Sequence, residues 1–405
     1  MTSAPKPRRI LLLSAFFPAH GGGIEKVAHE LARRLILDDC QIEWLAACGD
    51  ALPAPCPRLR MRTVRMANRI EARWGVPIPL PSPREWGRLW RAIARADVVH
   101  LHDFAYPFHL GAALFCLVQR KPFLITQHIG AVPFRSVGLR FVLQSLNRTA
   151  GRFVLERATR VVFISDAVRR YFQDFASIGA LTVPNGVDES LFSPLATPQR
   201  AQLRRELAGT LKIDAARPWL LFVGRFVEKK GVPLLVELSR QMPGAAWIFA
   251  GRGPLDPLAL SASEKATNHV RVVRDRSGAS LAELYRSADL LVLPSRGEGF
   301  PLVVQEALAC GTPVLVGDEL ENALPGAAAL LECEPVGEVD DLERWKARIE
   351  QILTRWESQT TRFARAAQAR ELWNWNHSAR QYLALFERCG PRNRAAKAVR
   401  GQGDH

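Results

Sequence analysis

The chain has 405 residues, 48% of them hydrophobic, which is long for one domain and enough to fill two cores. No uninterrupted apolar stretch is long enough to span a bilayer, so a transmembrane helix is excluded. The net charge of +15 fits an anionic partner, nucleic acid or anionic lipid, or else a compositional bias toward arginine, while seven scattered cysteines without a Cys-x-x-Cys pair argue against zinc and redox centres and fit a reducing cytoplasm.

Met1 to Arg9 is basic and Ile10-Leu11-Leu12-Leu13 follows, like the start of a signal peptide. Phe17-Pro18 and His20-Gly21-Gly22-Gly23 end the apolar run early, so a first core strand, Ile10–Ser14, is predicted instead. A helix is expected from Glu25 to Leu37. Further buried strands are expected at Asp97–Leu101, Phe123–Gln127 and Arg160–Ser165. The second half repeats the pattern at Trp219–Val223, Ala246–Ala250, Val270–Val273, Leu290–Leu293 and Pro313–Val316. Strands alternating with helices imply parallel sheets covered by helices. Ligands then bind beyond the carboxyl ends of the strands. A turn cluster at Val183–Asp188 and a polar helix over Gln199–Ala208 place a domain boundary near residue 190. The last helix is expected at Ser378–Arg388, followed by a basic, disordered tail over 391–405.

The loops after the strands carry the chemistry. Gly21-Gly22-Gly23-Ile24-Glu25 would let backbone N–H groups approach a phosphate or sugar, or is simply a tight strand-to-helix turn. Val223-Gly224-Arg225-Phe226-Val227-Glu228-Lys229-Lys230-Gly231 sets two cations, Arg225 and Lys230, before a helix. They suit a diphosphate, with a solvated basic loop as the plainer reading and Lys229 merely solvated. His128 ends the strand Phe123–Gln127 and is either a sugar contact or a structural histidine. His100 and His102 alternate beside Asp103, but no third metal ligand has a matching spacing. Glu298 lies on the loop after Leu290–Leu293, and Glu306 is expected about two turns into the helix that follows. Two carboxylates beside a helix-bound anion make sense if they hold hydroxyls.

Residues 1–190 carry 26 Lys and Arg against 15 Asp and Glu, whereas residues 191–405 carry 29 against 25. The excess therefore lies in the first half. Within it, Pro83–Arg95 has helical period, with Trp86, Leu89, Trp90 and Ile93 on one face and Arg84, Arg88, Arg91 and Arg95 on the other. Phe134–Arg157 is similar but less regular. Such a face suits an anionic membrane or the protein's own sheet.

Five segments occur in an order that resembles the retaining glycosyltransferases of family 4. They are Gly22-Gly23-Ile24-Glu25, Val183-Pro184-Asn185-Gly186-Val187-Asp188, Gly224-Arg225…Lys230-Gly231, Ala250-Gly251-Arg252-Gly253-Pro254 and Glu298-Gly299-Phe300-Pro301…Glu306-Ala307. The resemblance runs from Ile10 to Arg388. It implies an α/β GT-B fold, two Rossmann-like domains facing a central cleft, with the C-terminal helix crossing back to the first domain. The implied limits are 1–190 for the acceptor-binding domain, 191–375 for the donor-binding domain, 376–390 for the crossing helix and 391–405 for the tail.

The resemblance also assigns roles. Arg225 and Lys230 would grip the donor diphosphate and stabilise its departure. Glu306 would hold the ribose, and Glu298 would orient the sugar with Gly299, Phe300, Pro301 and Leu302. His128 would contact the sugar, Gly22 and Gly23 would approach the diphosphate, and Arg252 and the segment Val273-Arg274 would lie by the base and ribose. No metal and no cofactor are implied beyond a nucleotide-sugar donor, a UDP- or GDP-sugar. The acceptor would be a cell-surface glycan or a lipid-linked precursor, with an anionic membrane surface nearby and no nucleic acid. The enzyme would sit in the cytoplasm or peripherally on the inner face of the membrane. Gly317-Asp318-Glu319-Leu320-Glu321-Asn322 stands where many relatives have a Gly-Gly-x-x-Glu-like stretch. A nucleotide-sugar epimerase of the same architecture and a basic nucleic-acid-binding protein are the alternatives.

Overall fold

The computed structural model describes residues 8–49, 52–54, 56–68, 78–130, 137–174, 180–261, 269–323, 326–337, 341–355 and 358–389. The expected tail, 391–405, lies outside them. The chain divides into two compact units: residues 1–130, 134–185 and 375–405 in one, residues 131–133 and 186–374 in the other.

The first unit holds β1 (Arg8–Leu13), β2 (Cys40–Ala47), β3 (Leu59–Val64), the short β4 (Met66–Ala67) and β5 (Leu80–Pro81), β6 (Val98–His102), β7 (Phe123–Gln127), β8 (Arg160–Phe163) and β9 (Leu181–Thr182). Seven of these form a sheet in the order β3-β2-β1-β6-β7-β8-β9, parallel throughout. The side chains alternate between two cores, as a pleat requires. Leu11 and Leu13 enter one with Val99, Leu101, Phe123 and Ile125. Ile10 and Leu12 enter the other with Val98, Leu124 and Val162. Both faces are thus covered, which explains why these strands read as continuous apolar runs.

The second of these cores is closed by two helices far apart in sequence, Gly23–Leu35 and Trp375–Arg388. The C-terminal helix thus packs on the first unit. Ala379, Tyr382, Leu385 and Phe386 are buried there. The Arg34 guanidinium lies 5.5 Å from the Trp375 ring centre, and the Tyr382 hydroxyl lies 2.9 Å from Thr126 Oγ1. The helix begins earlier than the predicted Ser378 because buried Trp375 extends the apolar stripe of Ser378, Ala379, Tyr382, Leu385 and Phe386 by three residues.

The second unit holds β10 (Trp219–Val223), β11 (Ala246–Ala250), β12 (Val270–Val273), β13 (Leu290–Leu293), β14 (Val314–Gly317) and β15 (Glu332–Glu334). Their order is β12-β11-β10-β13-β14-β15, again parallel. The strand order reverses between β10 and β13. Loops diverge from such a switch point and leave a crevice at the carboxyl ends of the strands.

Several boundaries differ from the sequence expectation. The helix expected at 25–37 is Gly23–Leu35, and a short 3-10 turn with left-handed Asp39 (φ 61°) ends it. β14 starts at Val314 rather than Pro313, since proline has no N–H for the ladder. The segment expected over Phe134–Arg157, of which 134–136 lie outside the described residues, is helical throughout but not uniformly α. It is Val137–Leu146 and Arg152–Arg157 joined by a π-helical turn, Asn147–Gly151. Gly151 is required there because a Cβ would sit 2.6 Å from the Phe104 ring.

The docking of the last helix rests on apolar burial. Phe386→Ala should therefore cost about 3–5 kcal/mol through lost burial and the cavity left behind. Phe363→Ala, at a half-exposed helical position, should cost much less. Chemical denaturation of the two variants against the wild type checks this. Equal midpoints would refute a tightly packed last helix.

Candidate active site

In the second unit the loops after β10 and β13 meet at a glycine. Gly231 has φ 74° and caps the helix Val232–Gln241. A Cβ on it would collide with the Pro294 ring and carbonyl. The contact is reinforced where the Arg296 N–H donates to the Lys229 carbonyl, 2.9 Å away. Two loops far apart in sequence are thus held together at the switch point.

This contact brings Lys230 and Glu298 together. Lys230 Nζ lies 2.8 Å from Glu298 Oε1, with the side chains only 15% and 14% exposed. Burial pushes the Glu298 carboxyl up, but Lys230 and then Lys229 outweigh it and hold it below its usual range. Lys229 is not the solvated lysine the sequence suggested. It is half-buried, and burial lowers its pKa, partly opposed by Glu298 and reinforced by Lys230 and Arg225. Arg225 itself is exposed. One carboxylate therefore sits beside two lysines, with Arg225 acting on Lys229, a local excess of positive charge suited to a diphosphate.

Glu306 follows on the helix Leu302–Ala309. It is the fifth residue, little more than one turn in, not two as the spacing from Glu298 suggested. Gly299 and Phe300 lie in a non-helical loop and Pro301 is extended before the helix starts. Phe300 is buried with its ring centre 5.4 Å from that of Trp373, and Pro301 caps the helix without a side-chain hydrogen bond. The first N–H groups, from Leu302 onward, are of the kind that bind anions. Glu306 Oε2 accepts from the Tyr285 hydroxyl at 2.9 Å. Sequence reasoning missed Tyr285, because it falls on the apolar stripe of Gly278–Ser287 with Leu281 and Leu284 and reads as core. The one available signal is that a buried tyrosine hydroxyl needs a partner.

Glu319 was missed as well. Its carboxylate accepts from the Gly297 N–H at 2.7 Å, where Gly297 has φ 65°. The loop whose sequence departs from the family pattern thus clamps the backbone next to Glu298. Arg252, at the end of β11, is exposed and paired with Asp275. Gly251 and Gly253 flank it because Cβ atoms would strike the backbone of Gly224 and Phe226. Val273 ends β12, and its carbonyl accepts from the Gly251 N–H.

In the first unit Gly22 caps the helix Gly23–Leu35. A side chain there would strike the carboxylate of buried Glu25, so the glycine has a local steric reason besides any ligand. Gly23 is exposed. His128 is buried just beyond β7. Its Nε2 lies 3.0 Å from His102 Nδ1, and its backbone N–H donates to Asp103 Oδ1 at 2.7 Å. Asp103 adopts φ 63°, and its carbonyl accepts from His109 Nδ1–H at 2.7 Å. His100 Nε2 lies 2.8 Å from Thr126 Oγ1, which meets Tyr382. Burial lowers His128 and His100 to about 3 and His109 to about 4, and pushes Asp103 up to about 7. The imidazoles are therefore neutral at pH 7.

The Lys230–Glu298 pair makes a pH prediction. A carboxyl whose folded pKa lies below its unfolded value stabilises the fold above the unfolded pKa, and that stability is lost as pH falls through the folded pKa. Glu298→Gln should therefore lower the melting temperature at pH 7. The gap to the wild type should close as pH drops below the ordinary carboxylate range. Thermal melts across that range check it, and a gap that persists in acid would show that the effect is not ionic.

Comparison with known proteins fits this geometry. Residues 21–191 match Glycosyltransferase Family 4, and residues 204–370 match Glycosyl transferases group 1. A D-inositol 3-phosphate glycosyltransferase of Kineococcus radiotolerans is 33% identical over 261 residues, 58% of each chain, so the match spans little more than half of that protein. A putative teichuronic acid biosynthesis glycosyltransferase of Bacillus subtilis is 26% identical, covering 76% of this chain and 81% of its own. A phosphatidyl-myo-inositol mannosyltransferase of Mycolicibacterium smegmatis is 27% identical, covering 76% and 75%. Among solved structures, sucrose-phosphate synthase from Thermosynechococcus elongatus superposes with a TM-score of 0.69 at 20% identity, over 94% of this chain and 98% of that one. Anabaena HepE in complex with UDP-glucose gives 0.66 at 17%, over 93% and 99%. The two parallel Rossmann-like sheets are those of the GT-B fold, and the chain belongs to the family 4, group 1 glycosyltransferases.

Proposed function

We propose that the protein moves a hexose from a UDP- or GDP-sugar to a cell-surface glycan or its lipid-linked precursor, with retention of configuration. The observation that carries this reading is the Lys230–Glu298 contact at the β10/β13 switch point, with the exposed Arg225 on the same loop as Lys230. Lys230 has three N–H donors, so it can keep Glu298 while turning another toward a phosphate oxygen. Arg225 adds a planar fork to the same diphosphate. The C1–oxygen bond to the diphosphate breaks as the acceptor oxygen bonds C1 on the same face. The acceptor proton passes to the departing phosphate oxygen. The cations are assigned the charge neutralisation, so the reading needs no metal.

Glu298, held below its usual pKa, accepts hydroxyls of the transferred sugar. Glu306, fixed by Tyr285, accepts from the ribose. Arg252 and the Val273 backbone are assigned to the nucleoside, Gly22 and Gly23 to the diphosphate, and neutral His128 to a sugar hydroxyl. A UDP-sugar is supported by the UDP-glucose complex of the structural relative. An envelope or lipid-borne acceptor is supported by the teichuronic acid and phosphatidyl-inositol enzymes among the relatives. Such an acceptor places the enzyme on the cytoplasmic face of a membrane. Among the described residues no helix is long and apolar enough to cross one.

A saturating donor should raise thermal stability by mass action, by about 2.7 kcal/mol at a hundredfold excess over Kd. Thermal shifts with UDP-, GDP- and ADP-sugars identify the base. Lys230→Ala should lose transfer by two orders of magnitude or more, the scale seen when a preorganised charge partner is removed. Glu306→Ala should mainly weaken donor binding. No thermal shift with any nucleotide sugar, together with undiminished turnover in both variants, would end this assignment.

A further inference from the structure

The carboxyl ends of β6 and β7 carry a row of histidines that packs under the last helix. Register pairs His102 with Thr126 and His100 with Leu124, so these four share one face of the pleat. The ring centres of His100 and His102 are 4.4 Å apart, and those of His102 and His128 5.2 Å. Tyr382 and Phe386 of the last helix each lie 5.5 Å from the His100 ring. His100 and His102 are fully buried and His128 is 4% exposed. So dry a place gives the ring nitrogens no water, and their hydrogen bonds depend on one another.

His102 Nδ1 and His128 Nε2 are 3.0 Å apart. With both rings neutral, one of these nitrogens carries a proton and the other accepts it. If His128 donated, the His102 proton would sit on Nε2, an atom sealed from solvent with no hydrogen-bond partner among the described residues. That would bury an N–H without an acceptor, and orphaned donors are the rarer defect in folded proteins. If His102 donates, only a lone pair on its Nε2 goes unused, and the His128 proton must sit on Nδ1. The main chain is fixed as well, because the His128 N–H donates to Asp103 Oδ1 at 2.7 Å. The consecutive residues His102 and Asp103 thus hold the ring and the backbone of His128.

We infer that His102 is a positioning residue for sugar transfer: its Nδ1–H donates to His128 Nε2, fixes His128 as the Nδ1–H tautomer and leaves that one donor for a hydroxyl oxygen of the transferred sugar. The terminal torsion of a histidine is broad and roughly two-fold, so a ring without this contact has two orientations to choose from. It also has two tautomers, and the other one would offer a lone pair at Nδ1, an acceptor in place of a donor. The His102 contact selects one orientation and one tautomer before substrate arrives. A donor aimed in advance costs no reorganisation during the reaction. The inference deepens the role proposed for His128 and rests on it.

Nitrogen-15 NMR of the histidine-labelled full chain reads the tautomer directly, with the His128 signals identified by their loss in His128→Ala. Wild type should show a protonated Nδ1 and a bare Nε2 at His128. His102→Leu, which removes the donor, should mix the two His128 tautomers. His102→Asn, whose amide still donates, should keep the wild-type pattern. The wild-type spectrum decides even if His102→Leu does not fold. Release of nucleoside diphosphate from UDP-glucose or GDP-mannose, whichever the wild type turns over, reads the consequence. His102→Leu should lower kcat by about tenfold or more and leave KM little changed, and His102→Asn should recover most of the loss. In a His128→Ala background His102→Leu should cost nothing further, because the two residues act as one unit. A merely structural His102 would lower activity in both backgrounds. His128 protonated at Nε2 in the wild type, full kcat in folded His102→Leu, or the same loss in both backgrounds overturns the inference. His128 protonated at Nδ1, with neither nucleotide sugar turned over nor any thermal shift, would instead sink the transferase reading and leave the His102–His128 pairing standing.

Discussion

The candidate donor site depends on the contact of Gly231 with Pro294. Parallel sheets bring β10 and β13 side by side, but adjacency of strands does not fix the loops beyond them. A residue without a side chain at 231 lets the first loop lie directly on the second. Lys230 and Glu298 are then neighbours by construction, and their separation of 2.8 Å follows. A larger residue at 231 would part the loops and leave a buried carboxylate and a buried ammonium each without its partner, a costly arrangement.

The electrostatic consequence is specific. Two lysines beside one carboxylate leave net positive charge, and their partial burial limits how far water disperses it. Lys229 shows this most directly, since its charged form is disfavoured by burial and by its two cationic neighbours. A multiply charged anion relieves that repulsion. Glu298 keeps the cations gathered, and the cations keep Glu298 ionised. The carboxylate is thus unsuited to carrying a proton at neutral pH and suited to accepting hydrogen bonds. In the first unit the opposite holds. His100, His102, His109 and His128 are neutral because they are buried, so the imidazoles there offer oriented dipoles rather than positive charge. Tyr382 joins this network from the last helix through Thr126, which couples a segment remote in sequence to the loop after β7.

The sequence revealed the alternation of strands and helices because both sheets are covered on two faces and their strands are nearly all apolar. It also singled out Arg225, Lys230 and Glu298 as candidates, because charged residues stand out in the loops after parallel strands, and Glu306 by its spacing from Glu298. It hid the partners. Tyr285 is indistinguishable from core by periodicity, and Glu319 lies in a loop where no recognised motif singled it out. Lys229 looked solvated because neighbouring residues in sequence do not show how deeply a loop is seated. The depth of Glu306 in its helix was misjudged for a related reason, since spacing along the chain counts residues and cannot show where an extended approach ends and a helix begins.

Glu319 carries this furthest. In a loop whose sequence differs from that of many relatives, its carboxylate holds the Gly297 N–H. A backbone donor near the carboxyl end of β13 is what a phosphate or sugar oxygen would otherwise seek. With that donor taken, the Gly297 turn is fixed in its left-handed conformation and the direction of Glu298 with it. Glu319 therefore braces the turn that precedes Glu298. The residues proposed to grip the donor and the residues that hold them in place are distinct sets, and only the first set is spelled out by the motif.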